Sequence, residues 1–95
     1  MADTPQTRRN DAQHRYEIHS EGRLAGQLAW RDQAGVLDLV HTEIEPAFEG
    51  RGLAGQLVRF ALDDARAAGR RIQPSCGYVA AWIERHPEYR DLVAS

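Results

Sequence analysis

The strongest constraint on the fold is a change in hydrophobic period near Pro46. Before Pro46, apolar and polar residues alternate in three runs, which predict β-strands over residues 14–20, 24–31 and 36–45. After it, apolar residues recur every 3.6 residues, which predicts a helix over residues 52–68. Gly69 is a natural end for that helix, and residues 71–75 predict a fourth strand.

The order of these elements predicts the fold class. Because a crossover helix separates the third and fourth strands, those two strands should run parallel. Ser75 is expected to cap a second helix that continues to His86 and Pro87, followed by a final turn over residues 89–93. The chain is therefore predicted to be α/β (α+β), with a mixed sheet, an antiparallel N-terminal meander, a parallel later strand and two main helices.

The length predicts one domain. With 95 residues, two domains would each have too small a core to be stable alone. Residues 1–13 are polar and lack an apolar period, so we expect a flexible tail or the approach to the first strand, and a single domain over residues 14–95. The large aromatic residues Trp30, Phe60, Tyr78 and Trp82 are expected in its core.

Composition excludes several classes of function. The chain has no run of about 20 apolar residues and no secretion signal, so we expect a cytoplasmic protein without a membrane partner. Its net charge of −2 argues against nucleic acid as a partner. All twelve basic residues are arginine, which excludes a lysine Schiff base. One cysteine, Cys76, permits no internal disulfide, and the histidine spacing predicts no metal site.

A glycine-rich segment joins the third strand to the first helix. Gly50 and Gly52 permit positive φ and close approach of the backbone, and the first free amides of a helix form an anion site. Arg51 can add a charged donor to a bound phosphate. The spacing matches neither the nucleoside triphosphatase loop nor the dinucleotide-binding fingerprint. A tight turn without any ligand is the alternative, and the spacing alone leaves it open.

Two segments carry a resemblance to a known family. The runs His41-Thr42-Glu43-Ile44-Glu45-Pro46 and Glu49-Gly50-Arg51-Gly52-Leu53-Ala54 resemble the strand and pyrophosphate loop of GNAT-superfamily N-acetyltransferases, whose loop reads Gln/Arg-x-x-Gly-x-Gly/Ala. The compact YjdJ-type acetyltransferase domain is more similar still, because it shares the later cysteine and tyrosine and an Arg-His-Pro-Glu-Tyr-like end. The resemblance covers about residues 14–93.

This resemblance implies acetyl-CoA as the acetyl donor. The pantetheine arm would bond to main chain around Ile44, and the pyrophosphate would lie on the amides of Gly50, Arg51, Gly52, Leu53 and Ala54. Two positions depart from the pattern of the family. Glu49 stands where the superfamily has glutamine or arginine, and Trp82 stands where many relatives have a tyrosine that protonates the leaving thiolate.

His41 and Cys76 are the catalytic candidates. An imidazole titrates near neutral pH, so His41 beside the thioester can act as base, with Glu43 orienting it. Cys76 is expected in the first turn of the second helix, where the dipole favours thiolate, so it can accept the acetyl group or protonate the leaving thiolate. The alternatives are a histidine paired across the sheet and a cysteine that only fills the core.

The resemblance implies an acetyl-CoA-binding N-acetyltransferase that acts on an unidentified amine, either a small molecule or a peptide or protein. A chain this short has few residues left to enclose the acceptor site. We therefore expect that site to be open or completed by a second subunit in a homodimer. Two alternatives remain open. One is a non-catalytic regulatory module that binds CoA or acyl-CoA, and the other is a small interaction domain whose glycine loop is only a turn.

Overall fold

The computed structural model describes residues 4–94. Their strands form one five-stranded sheet in the order β1-β2-β3-β4-β5. Strands β1 to β4 pair antiparallel, and β5 pairs parallel with β4, so the predicted mixed α+β architecture is confirmed. The elements are β1 (Gln6–Asn10), β2 (Arg15–Ser20), β3 (Arg23–Gln33), β4 (Val36–Ile44), α1 (Leu53–Ala67), β5 (Ile72–Pro74) and α2 (Gly77–Arg85), with 3-10 turns at Pro46–Phe48 and Pro87–Leu92.

The first strand lies in the segment that the sequence predicted as a flexible tail, so that prediction is wrong for Gln6–Asn10. This strand was missed because it lies at the sheet edge and has no apolar period. Its side chains instead bind a carboxylate of the neighbouring strand: Arg8 and Asn10 donate to Glu17 at 3.0 and 2.8 Å. Residues 1–3 of the predicted tail lie outside the described residues.

The two helices pack side by side over one face of the sheet. In α1 the predicted stripe is buried, as shown by Leu53, Leu57 and Ala61, and the helix starts one residue later than predicted. Helix α2 begins at Gly77, so Cys76 and not Ser75 occupies the cap position. Trp30 and Trp82 are in the core as predicted and Phe60 is partly buried against it, whereas Tyr78 is 38% exposed and is not a core residue.

A bulge in β4 determines which of its side chains face the helices. Ala29 of β3 pairs with His41 and Trp30 pairs with Leu39, so Val40 is the extra residue. Leu39 lies on the face covered by the helices, and after the bulge Thr42 and Ile44 lie on that same face. His41 and Glu43 lie on the opposite face, which we call the outer face.

The outer face is polar, and within residues 4–94 both α-helices pack on the other side. The pairing register aligns Arg8, Glu17, Gln27 and Glu43 across four adjacent strands of this face. The buried Glu17 carboxylate also accepts hydrogen bonds from Arg15 at 2.8 Å and contacts the ring of His19 at 2.9 Å. These contacts join the side chains of β1 and β2 on the outer face.

Candidate functional site

The connection from β4 to α1 has the backbone conformation that an anion-binding loop needs. Gly50 has φ 79° and Gly52, the cap residue of α1, has φ 75°. A Cβ atom at either position would meet no atom within 4 Å, so the left-handed backbone and not lack of space requires glycine there.

The first amides of α1 lie at this loop. The ladder of the helix begins with the bond from the Gln56 amide to the Gly52 carbonyl at 3.4 Å, so the amides of Leu53, Ala54 and Gly55 precede it. A small cavity of about 130 Å³ lies against this turn and reaches the end of β4. Its lining includes five of the six residues predicted to bind the cofactor, together with two from the turn: Ile44, Phe48, Glu49, Gly50, Gly52, Leu53 and Ala54.

Arg51, the sixth predicted residue, does not line this cavity. Its guanidinium bonds to the Glu21 carboxylate in the β2–β3 turn at 2.7 Å and lies 5.0 Å from the centroid of the Phe48 ring. Both partners are about half exposed, so the pair is a surface ion pair of modest strength. Glu49 lines the cavity, which adds a negative charge next to the proposed anion site.

Strands β4 and β5 pair over a short distance and then separate. The pairs run from Leu37 to Leu39 of β4, and the Cys76 amide then donates to the Leu39 carbonyl at 2.8 Å. Beyond that bond, β4 continues to Ile44 with no strand beside it on that edge among residues 4–94. Ile44, the last residue of this open edge, also lines the cavity at the start of α1.

Cys76 lies beside the open edge. Its sulfur is 3.4 Å from the Thr42 hydroxyl oxygen, and its residue is 9% exposed. Burial raises the pKa of the Cys76 thiol, but the Thr42 hydroxyl and the nearby backbone amides of Val79, Tyr78 and Thr42 together lower it below its ordinary value. The Cys76 thiol thus ionises more readily than an ordinary cysteine, at a largely buried position beside the open edge of β4.

His41 is not brought together with Cys76. It lies on the outer face, largely exposed, and its Nε2 is 3.8 Å from Glu43 Oε1, as the two-residue spacing predicts. Thr42, which lies between His41 and Glu43 in sequence, faces the opposite side of the sheet and contacts the Cys76 sulfur. The catalytic role of His41 therefore stays a prediction, and it is restricted to reactants that arrive from the outer face.

Sequence reasoning missed two groups at this site. The sequence pattern predicts no separate role for Thr42, although strand alternation places it on the same face as Ile44. Tyr78 was expected in the core, but its hydroxyl lies beside Gly55 of α1, 3.9 Å from where a Cβ atom would be. Its place in the first turn of α2, two residues after Cys76, was the available signal.

Comparisons with known proteins identify the family of the chain and bear out its fold. The sequence profile described as GCN5-related N-acetyl-transferase matches residues 15–92. The chain belongs to the GCN5-related N-acetyltransferase family. The NMR structure of a protein from Staphylococcus aureus described as GCN5-like has a TM-score of 0.71 at 17% identity, covering 95% of this chain and 88% of that one. At that identity the likeness shows the fold alone.

Curated relatives are similar over part of the chain. Protein NATD1 of Bos taurus is 35% identical over 52 residues, which are 55% of this chain and 46% of that protein. Protein NATD1 of Homo sapiens is 33% identical over the same length and covers 55% and 46%. The match thus spans about half the length of these relatives. Across residues 4–94, no cluster of side chains suits a metal ion and no helix is long and apolar enough to span a membrane.

Proposed function

We propose that this chain binds acetyl-CoA at the start of α1 and transfers the acetyl group to an amine. The observation that carries the proposal is the pair of free amides at Leu53 and Ala54, which lie at a cavity that Ile44, at the end of the open edge of β4, also lines. Helix N-terminal amides suit a diphosphate, and the exposed main chain of a strand suits the amide groups of a pantetheine arm.

In this proposal the diphosphate lies on the amides from Gly50 to Ala54, and the arm follows β4 past Ile44 towards Thr42. The thioester then arrives near Cys76. Arg51 is paired with the Glu21 carboxylate, so it can bind the phosphate only by leaving Glu21 or with its charge already balanced by that carboxylate. The backbone amides therefore supply most of the anion binding.

In the proposed mechanism the acetyl group passes through Cys76, whose sulfur lies 3.4 Å from the Thr42 hydroxyl beside the open edge of β4 and whose pKa is lowered. The Cys76 thiolate attacks the carbonyl carbon of the donor, a new carbon–sulfur bond forms, and the bond to the CoA sulfur breaks. CoA leaves as a thiolate and takes a proton from solvent. His41, on the outer face, is the candidate base that deprotonates the incoming ammonium group before it reaches Cys76. The amine nitrogen then attacks the acetyl carbon on Cys76, the sulfur leaves as thiolate, and the nitrogen loses its remaining extra proton to solvent.

The acceptor in this proposal is an amine that reaches the site from the outer face. His41 and Glu43 are both largely exposed there, so their side chains are accessible to such an amine. Within residues 4–94 the helices lie on the other face, so nothing restricts the acceptor to a small molecule. A peptide or protein amine therefore suits this surface.

Calorimetry with CoA tests the binding step. We expect binding to wild type and at least tenfold weaker binding to Ala54→Glu, because a carboxylate would then lie in the cavity beside the diphosphate. Ala67→Glu, on the exposed last turn of the same helix, is the matched control and should bind as wild type does. Absence of heat with wild-type protein at millimolar CoA contradicts the proposal.

Incubation with labelled acetyl-CoA tests the transfer step. We expect one acetyl group on Cys76 by mass spectrometry, and its loss when a peptide amine is added. Binding of CoA without acetylation of Cys76, and without acetylation of any amine, would instead identify a non-catalytic CoA-binding module.

A further inference from the structure

The contact between Thr42 and Cys76 has a consequence for the reactivity of the thiol. We propose that Thr42 is a positioning residue that holds Cys76 in its reactive form by donating its hydroxyl hydrogen to the sulfur. This inference rests on the proposed function for its role in transfer, but the chemistry that it assigns to the pair is measurable without acetyl-CoA.

Donation in this direction follows from the two protonation states of the pair. With the neutral thiol, either atom of the 3.4 Å contact can donate. Once Cys76 is ionised it has no hydrogen, so only the Thr42 hydroxyl can donate. A hydrogen bond to a charged group is stronger than one between neutral groups, so the contact stabilises the thiolate more than the thiol.

The surroundings leave Thr42 as the principal side chain that acts on the sulfur. The lowering of the pKa of Cys76 comes first from the Thr42 hydroxyl and then from the backbone amides of Val79 and Tyr78, all uncharged groups. On β4, His41 and Glu43 face the outer side of the sheet. The hydroxyl of Tyr78 on α2 lies beside Gly55. This differs from cysteine sites in which a neighbouring cation stabilises the thiolate.

The contact also fixes where the sulfur lies. Thr42 is held in β4 by its pairing with Leu28, and the Cys76 amide is bonded to the Leu39 carbonyl of the same strand. Both ends of the contact are therefore anchored to β4. A β-branched threonine has few rotamers in a strand, so its hydroxyl is kept in place at low entropic cost.

Alkylation of the protein without any ligand tests the inference. Because Cys76 is the sole cysteine, the rate of modification by iodoacetamide reports on one sulfur. Thr42→Val removes the hydroxyl and keeps the shape, so access of the reagent to the sulfur should not change. We expect the midpoint of the rate against pH to rise by about one unit, with about tenfold slower alkylation near pH 7. Thr42→Ser should restore the rate to within about twofold.

Thr7→Val in β1 is the control, since it makes the same change in a strand away from Cys76. Melting curves establish that each variant is folded, and Thr42→Ala replaces Thr42→Val if the valine variant does not fold. An unchanged midpoint in Thr42→Val, or a midpoint in Thr42→Ser as high as that of Thr42→Val, overturns the inference.

The outcomes separate this inference from the proposed function. A shifted midpoint in a protein that never acetylates Cys76 would contradict the proposed function and leave the hydrogen bond established. If Cys76 is acetylated as fast in Thr42→Val as in wild type at both pH 6 and pH 8, the role of Thr42 is contradicted and the proposed function is left intact. Acetylation of Cys76 that is slower in Thr42→Val than in wild type at pH 6, and equally fast at pH 8, supports both the role of Thr42 and the proposed function.

Discussion

Replacement of the buried Glu17 by glutamine should destabilise the fold without touching the proposed cofactor site. The Glu17 side chain is 2% exposed and accepts charge-assisted hydrogen bonds from Arg8 and Arg15 at 3.0 and 2.8 Å. Burial opposes ionisation, but His19, Asn10, Arg15 and Arg8 hold the pKa of this carboxyl well below its usual value.

The expected cost at pH 7 is about 2 kcal/mol. Removing one partner of a buried ion pair costs about 3–5 kcal/mol. The figure is smaller here because Arg8 is 65% exposed and regains water, and because glutamine keeps one acceptor oxygen for the network. For a domain of this size, such a loss corresponds to a fall in melting temperature of about 10 °C.

The cost should shrink at acid pH. The pKa of Glu17 is lower in the folded protein than its value of 4.5 in the unfolded chain, so its ionisation stabilises the fold above pH 4.5 and this contribution is lost as the pH falls. Glutamine does not titrate. At pH 3.5 the difference between wild type and Glu17→Gln should therefore be smaller by about 1.4 kcal/mol.

Urea unfolding followed by tryptophan fluorescence measures both numbers, since Trp30 and Trp82 are buried in the folded state. Glu84→Gln, an exposed position on α2, is the matched control and should change stability by less than about 0.5 kcal/mol. A loss as small as that of the control at pH 7, or an equal loss at pH 3.5 and pH 7, would refute the reasoning.

Three further substitutions test the site. Glu21→Gln frees Arg51 from its ion pair and should tighten CoA binding by about two- to fivefold at low salt, with no change in high salt, as calorimetry would show. Gly52→Ala forces a side chain into the left-handed region and should lower the free energy of unfolding by about 1–2 kcal/mol in urea titrations. Gly26→Ala would push its new methyl group into the side chain of Ile44 and should cost about 1–3 kcal/mol and weaken CoA binding in calorimetry.

The sequence predicted the elements whose periodicity is set by burial. The apolar stripe of α1 and the alternation in β2 and β3 both reflect one face packed on a core, so their positions are readable from the residues. Strand β1 is different, because its order depends on backbone pairing with β2 and on the Glu17 network, and these contacts are distant in sequence. No local pattern of residues 6–10 contains that information.

The site was predicted in part for a related reason. Glycine at positions 50 and 52 predicts a left-handed backbone there, because this conformation depends only on the local residue. The partner of Cys76 is not local, since 34 residues separate it from Thr42. Placing His41 beside the thioester assumed that the residues near Ile44 share one environment, whereas adjacent strand residues face opposite sides.

One extra residue in β4 links the core to the site. In a regular strand, Leu37 and Leu39 would share a face with His41 and Glu43, and Thr42 would face the other side. The bulge at Val40 exchanges the two sets, so β4 contributes Leu37 and Leu39 to the core and still turns Thr42 towards Cys76. The same exchange turns His41 and Glu43 outwards. If the acetyl group comes from the helix side and the amine from the outer face, the two reactants meet at the open edge of β4. Because of the one inserted residue, Thr42 then faces the acetyl group, and His41 and Glu43 face the amine.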